Sequence, residues 1–136
     1  MWQCPECKRK FGRANQGHEC APAMDIEEYF ETGPEFERPI FEVIRDHMQT
    51  LDADIWFEPV SVGIFFKRRS VFLSLRTMTK WIAVGFQLNR KLSHDRLSRK
   101  VVENGKRYYH VVNVKDAGDI DDVLLEWLTE AWIADE

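Results

Sequence analysis

Residues 71–88, with the sequence VFLSLRTMTKWIAVGFQL, contain two runs, 71–76 and 81–88, in which apolar side chains recur at every second position. In residues 71–76 one face is predicted to carry Val71, Leu73 and Leu75. The opposite face is predicted to carry Phe72, Ser74 and Arg76. In residues 81–88 the apolar positions are Ile82, Val84, Phe86 and Leu88. Period-two alternation is typical of antiparallel strands with one buried face, so the stretch predicts two such strands over a single core.

Further strands are predicted on both sides of this pair. Residues 54–60 and 62–67 are rich in β-branched and aromatic side chains. Later in the chain, ENGK separates KVV from RYYHVVNV, and a glycine in so short a connection indicates a hairpin. These segments together predict an antiparallel sheet of about five strands.

Helices are predicted before and after the strands. Apolar residues recur at helical spacing in residues 35–51, EFERPIFEVIRDHMQTL, and again in residues 120–131. A shorter helix is predicted within MDIEEYFETG, residues 24–33. The predicted fold class is therefore α+β, with helices packed on one face of the antiparallel sheet and a small zinc knuckle preceding it.

The first twenty residues, MWQCPECKRKFGRANQGHEC, contain all three cysteines of the chain. The Cys-x-x-Cys spacing lets two sulfurs reach one ion, and a His-x-Cys pair follows after ten intervening residues. We therefore predict a closed, structural, tetrahedral zinc site with the ligands Cys4, Cys7, His18 and Cys20. Reduced cysteines without metal are the alternative. Catalytic zinc is disfavoured, because four protein ligands leave no position for water.

Two other residues of this leader have predicted roles. The ring of Phe11 is expected to cover the metal site. Knuckles of this kind often place glycine after the second cysteine, where φ is positive. Here Lys8 occupies that position at an expected cost of about 1–2 kcal/mol.

Domain organisation and location follow from composition. The chain has 136 residues, of which 44% are hydrophobic, enough for one packed domain. Residues 1–23 are interpreted as the knuckle with a linker, Ala21-Pro22-Ala23, and residues 24–136 as the α+β domain. No apolar run approaches the roughly 18 residues that span a bilayer, and no secretory signal pattern is present. We therefore expect a cytoplasmic protein, without membrane association, whose thiols stay reduced.

The leader also carries a resemblance. From Trp2 to Cys20 the string W-x-C-P-x-C-x-R-x-F-x-R-x-N-Q-x-H-x-C resembles the leader of some members of the bacterial domain-of-unknown-function family 5655. The later segments FEPVSVGIFFKRRSVFLSLR and HVVNVKDAGDIDDVLLEWLTEAW are similar to that family in the order of their elements. The resemblance implies a small bacterial cytosolic domain and brings no assigned activity. A weaker similarity links VVNVKDAGDIDDVLLEWL to the MmcQ/YjbR-like family, whose fold has been proposed to bind DNA through a double wing.

Charge is distributed unevenly along the chain. Residues 67–107, here called the basic band, contain 12 Lys or Arg and 2 Asp or Glu, and both flanking segments are acidic. Cations beside aromatic rings suit a sequence-tolerant DNA or RNA surface. The predicted contacts are Lys67, Arg68, Arg69, Arg76, Lys80, Trp81, Arg90 and Lys91. The alternative is that the basic and acidic segments pair with each other across the fold.

The leading functional hypothesis is a non-catalytic, nucleic-acid-associated module with structural zinc. The rival hypothesis is a protein–protein interaction module with the same zinc site. An enzyme would require a pocket that holds His110 with Tyr108 or Tyr109, and no nucleophile is identifiable beside them. No small-molecule substrate is identified from the sequence.

Overall fold

The computed structural model describes residues 2–18, 20 and 24–136, and these form two antiparallel sheets and three α-helices. The small sheet pairs β1 (Trp2–Gln3) with β2 (Lys10–Phe11). The large sheet has six strands in the order β3-β4-β5-β6-β8-β7, all antiparallel. Its strands are β3 (Trp56–Val60), β4 (Gly63–Lys67), β5 (Val71–Thr77), β6 (Ile82–Leu88), β7 (Val102–Asn104) and β8 (Arg107–Val114). The predicted α+β class is confirmed, with six strands in place of about five.

The additional strand comes from the predicted hairpin. The short strand β7 pairs with β8, with Asn104 opposite Arg107. Gly105 in the connection has φ of 64°, a left-handed conformation that glycine adopts without strain. The ENGK stretch therefore forms the turn that its sequence indicates.

The three helices are α1 (Ile26–Glu31), α2 (Glu37–Leu51) and α3 (Asp122–Ala134). Asp25 caps α1 by accepting a hydrogen bond from the Glu27 backbone N–H, and Asp121 caps α3 in the same way from Leu124. No helix within the described residues is long and apolar enough to cross a membrane.

The core lies between the helices and one face of the large sheet, here called the inner face. Helix α2 contributes Ile40, Ile44 and Met48, which are completely buried, and α3 contributes Leu124 and Leu128. The sheet meets them with alternate residues, including Ile64, Phe66, Leu73, Leu75, Ile82, Val84, Phe86, Leu88, Val112 and Val114. The opposite face of the sheet, called the outer face, carries no helix in the described part of the chain.

A β-bulge in β5 corrects one sequence prediction. Phe66 pairs with Leu73 but Lys67 pairs with Val71, so Phe72 is an extra residue in its strand. Phe72 is consequently completely buried in the core, and Val71 lines the outer face. The predicted faces of Phe72 and Val71 were wrong, because strict alternation cannot anticipate an inserted residue.

Edge strand β3 is partly occupied along its free side. The backbone N–H of Met24 donates a hydrogen bond of 2.8 Å to the carbonyl oxygen of Pro59. Pro59 itself has no N–H to offer. The predicted linker, Ala21-Pro22-Ala23, lies outside the described residues, so the domain boundary at residue 23 stays a prediction.

Candidate metal centre and open sheet face

The knuckle is formed by two short strands and the tight turn between them. The Lys8 N–H donates to the Cys4 carbonyl oxygen, and the Cys4 N–H donates to the Arg9 carbonyl oxygen, both at 2.9 Å. Lys8 has φ of 65°, so this lysine adopts the left-handed conformation expected at its position. The turn brings Cys4 and Cys7 to the same point, where both are buried.

The four predicted ligands converge. One sulfur or nitrogen atom from each of Cys4, Cys7, His18 and Cys20 lies within 4.8 Å of every other. The Cys4 and Cys20 sulfurs are 3.8 Å apart, and His18 Nε2 lies 3.3 Å from the sulfurs of both Cys7 and Cys20. In a tetrahedral site with metal–sulfur bonds of about 2.3 Å, two sulfurs are about 3.8 Å apart. The spacing therefore fits one tetrahedral metal ion.

The histidine is oriented for metal binding by a second contact. His18 Nδ1 lies 2.7 Å from the carbonyl oxygen of Gln16. A carbonyl only accepts, so Nδ1 carries the proton and the lone pair of Nε2 faces the sulfurs. The ring of Phe11 stacks on His18 with centroids 4.0 Å apart, which covers the site as the sequence suggested.

The thiols differ in acidity. Hydrogen bonds to the Cys4 sulfur lower the pKa of Cys4 to about 6, and the largest effect comes from the backbone N–H of Cys7. Desolvation raises the pKa of Cys20 to about 12, and the neighbouring Cys4 sulfur contributes a smaller rise. Crowded sulfurs of this kind are compensated by a bound cation.

The knuckle is docked on the outer face through Glu58, which is completely buried in β3. Glu58 Oε1 accepts from Arg9 Nε at 3.1 Å and from Lys67 Nζ at 2.8 Å. Glu58 Oε2 accepts from the Lys10 backbone N–H at 2.8 Å and from Trp56 Nε1 at 2.7 Å. One carboxylate thus receives two donors from the leader and two from the sheet.

The prediction that Lys67 contacts nucleic acid is therefore wrong. Its side chain is 3% exposed, and besides Glu58 its ammonium group donates to the Lys10 carbonyl oxygen. Burial lowers the pKa of Lys67, although the ion pair with Glu58 opposes that change. A buried ammonium already neutralised by a carboxylate cannot meet a phosphate.

Other basic residues of the band also pair internally, in part as the alternative hypothesis expected. Arg90 pairs with Glu130 at 2.9 Å, and the Arg68 guanidinium lies 3.9 Å from the centre of the Trp132 ring. Arg96 and Arg107 pair with Asp121 and Asp135.

Four predicted contacts keep their cations at the surface. These residues are exposed, and none has a carboxylate within 4 Å among the described residues: Arg69, Arg76, Lys80 and Lys91.

Beside the knuckle, the outer face remains open. A groove of about 600 Å³ lies along β4, β5, β6 and β8. Its centre is formed by Ser74 and Ala83, and Phe65, Arg76, Arg99 and Tyr109 surround them. We call this groove the open sheet face. The predicted contact Trp81 lies in the adjoining groove with Asn113 and Lys115.

A glycine fixes the position of Tyr109 on this face. A Cβ atom on Gly85 would lie 2.2 Å from the Tyr109 hydroxyl oxygen and 2.7 Å from Ser74 Oγ. Tyr109 therefore lies directly over the backbone of β6, which only glycine permits there.

Of the residues suggested for an enzyme, His110 and Tyr109 lie on opposite faces of β8, and Tyr108 lines a groove with Lys91 and Val102 that does not include His110. His110 lies on the inner face, 1% exposed, where its Nε2 accepts a hydrogen bond from the Leu92 N–H and its ring stacks on Phe86. Burial lowers the pKa of His110, which favours the neutral ring. Tyr109 lies on the opposite side of the sheet. His110 therefore acts as a core residue.

Sequence reasoning missed Glu58 and Phe65. Both belong to predicted strands, and they pair with each other across β3 and β4. A single acidic residue in a mostly apolar strand was the available signal for Glu58. Nothing comparable distinguished Phe65 from the buried phenylalanine that follows it.

Comparison with known protein families matches residues 26–133 to the family described as Domain of unknown function (DUF5655). No curated protein and no solved structure matches the chain. The match begins after the cysteine leader and covers the helices and the large sheet.

Proposed function

The chain belongs to the DUF5655 family, and on this premise we propose that it is a non-catalytic nucleic-acid-binding module stabilised by zinc. The observation that carries the proposal is the open sheet face, where aromatic rings and unpaired cations surround small residues.

Zinc is the ion that the donor set favours. Three thiols and one imidazole nitrogen are soft to borderline ligands, and tetrahedral S₃N sites are typical of structural zinc. In such a site the ion holds the chain together and leaves no position for a substrate. Docking through Glu58 then fixes the loaded knuckle beside the open sheet face.

The open sheet face has the features that single-stranded nucleic acids require. Ser74 and Ala83 have small side chains, so the floor of the groove between the surrounding rings and cations is low. Phe65 and Tyr109 offer rings on which bases stack. The cations there have no carboxylate partner in the described part of the chain, so they stay available for phosphates.

The binding experiment uses fluorescence anisotropy with a labelled single-stranded oligonucleotide between 50 and 200 mM salt. The double variant Arg76→Ala and Arg99→Ala is expected to bind more weakly. The slope of log K against log salt, which is negative, should become shallower by about 1.4, because each lost phosphate contact contributes about 0.7. The double variant Arg38→Ala and Arg45→Ala on helix α2 removes the same number of positive charges from the opposite side of the molecule and should leave binding unchanged.

Two outcomes would contradict the nucleic-acid proposal. One is an absence of binding by the wild type at 50 mM salt, and the other is an equal effect of all the arginine variants. Salt-insensitive capture of a protein partner on the same face would instead favour the interaction module.

Metal identity is tested by elemental analysis of protein purified under reducing conditions without chelators. One zinc per chain in the wild type and none in Cys7→Ser would support the assignment. Metal-free wild type, or a different metal at full occupancy, would overturn it.

A further inference from the structure

A separate cavity, of about 530 Å³, lies between α1, the start of α2 and the end of strand β5, next to the part of β5 that lines the open sheet face. Its walls include Met24, Tyr29, Pro34, Val62 and Thr77. Cavities of a few hundred cubic ångströms are the usual size of small-molecule sites. Nothing in the proposed nucleic-acid function uses this cavity.

Glu37 lies at the base of the cavity with one oxygen unused. The residue is 4% exposed, and its Oε2 accepts a hydrogen bond from the Thr77 hydroxyl. Its Oε1 is buried and has no hydrogen-bond partner among the described residues. A buried carboxylate oxygen without a donor is unfavourable, so the site lacks a group that donates.

The hydroxyl groups of Thr77 and Tyr29 direct their protons toward the carboxylate. Thr77 has one hydroxyl proton, which it donates to Glu37. Tyr29, whose hydroxyl oxygen lies 3.3 Å from Thr77 Oγ1, must therefore donate to Thr77. Burial raises the pKa of Tyr29, so its proton stays in place.

No cation of the described chain compensates this carboxylate. The cavity walls include no Lys, Arg or His. Arg38, the next residue along α2, turns instead to Glu27 at 2.7 Å and to Glu42 at 3.8 Å. The missing partner is thus both a donor and a positive charge. A lone carboxylate is too few ligands for a divalent metal ion, which favours an organic cation.

We propose that this cavity binds an alkylammonium group, with its nitrogen donating to Glu37 Oε1 and its carbon chain against Met24 and Val62. An ammonium has three donors and no acceptor, which matches a carboxylate with a free oxygen. The apolar walls match a short aliphatic chain. The group can belong to a free amine or to a lysine side chain, since both present the same chemistry.

The test is a ¹H–¹⁵N NMR titration of the full chain with n-butylammonium chloride, with 1-butanol and sodium chloride as matched controls. Saturable shift changes are expected at the amides of Tyr29, Gly33, Glu37 and Thr77 with the ammonium salt alone. Glu37→Gln should weaken the binding by about tenfold or more, since it removes the charged acceptor. Equal responses to butanol, or unchanged affinity in the variant, would overturn the proposal.

A second variant keeps the test valid if Glu37→Gln perturbs folding. Val62 is 56% exposed in the turn between β3 and β4, so Val62→Trp is expected to fold and to fill the cavity. Loss of butylammonium binding in that variant supports the proposal, and retained binding overturns it. A parallel titration with N-acetyl-lysine methylamide identifies the source. Binding as strong as that of butylammonium indicates a lysine side chain, and weaker binding indicates a free amine.

Discussion

Replacing Glu58 by glutamine is expected to destabilise the protein far more than the same change at the surface. Glutamine has almost the same shape as glutamate but has one oxygen where glutamate has two. Because each carboxylate oxygen of Glu58 accepts two hydrogen bonds, either orientation of the amide sets its NH₂ group against two donors. The change also leaves Lys67 buried without a counter-charge.

The magnitude follows from the buried pair. Removing one partner from a buried ion pair costs about 3–5 kcal/mol of unfolding free energy, because the remaining charge is uncompensated. The pKa of Glu58 indicates that the charged form is stabilised here. Burial would raise that pKa, but hydrogen bonds from Lys67, the Lys10 backbone and Trp56 outweigh burial and lower it. Most of the expected cost should appear as detachment of the knuckle from the sheet.

The assay is urea unfolding of zinc-loaded protein, followed by circular dichroism and by tryptophan fluorescence. Glu130→Gln is the matched control, because Glu130 pairs with the exposed Arg90 and such pairs contribute at most about 1 kcal/mol. A double-mutant cycle with Lys67→Met should show coupling, since Lys67 and Glu58 are in direct contact. A cost below about 1 kcal/mol for Glu58→Gln would refute the role assigned to this carboxylate.

Three further predictions concern single positions. Lys8→Gly should raise the unfolding free energy of the zinc-loaded protein by about 1 kcal/mol in urea, because φ of 65° strains lysine but not glycine; an unchanged midpoint would contradict this. Gly85→Ala should lower it by about 1–3 kcal/mol in the same assay, because the new methyl group displaces Tyr109; wild-type stability would show that the ring moves freely. Burial would raise the pKa of Asp135, but hydrogen bonds, including one from Arg107, outweigh burial and lower it. The stability this provides is complete above the ordinary aspartate pKa of about 3.9 and is lost as pH falls. Asp135→Asn should therefore be less stable than the wild type at pH 7 and should lose less stability between pH 5 and pH 2. An equal loss of unfolding free energy in the two proteins over this pH range would contradict the prediction.

The parts of the molecule that sequence predicted well depend on neighbouring residues. The ligand set of the knuckle follows from the spacing of Cys4 and Cys7 and of His18 and Cys20, and the structure brings all four together. The hairpin turn at Gly105, which the ENGK stretch indicated, is equally local. Short-range geometry of this kind follows from side-chain chemistry and backbone sterics alone.

The errors arose where distant segments meet. Lys67 was predicted at the surface because it begins a basic run, but its partners are Glu58 and the leader residue Lys10. The position of Phe72 depends on the register between β4 and β5, which alternation within one strand does not determine. The burial of Lys67 and the face of Phe72 both depend on pairing between distant segments, which cannot be read from a single sequence.

The contact between Met24 and Pro59 has a consequence for self-association. Outermost strands with free N–H and C=O groups recruit strands from other molecules and so promote aggregation. In β3, Pro59 cannot donate, and its carbonyl already accepts from Met24. The strand at the other end of the large sheet, β7, is only three residues long. Neither edge of the sheet is therefore a good template for adding a strand from another chain. The fold thus disfavours fibril growth while it leaves the outer face of the sheet open.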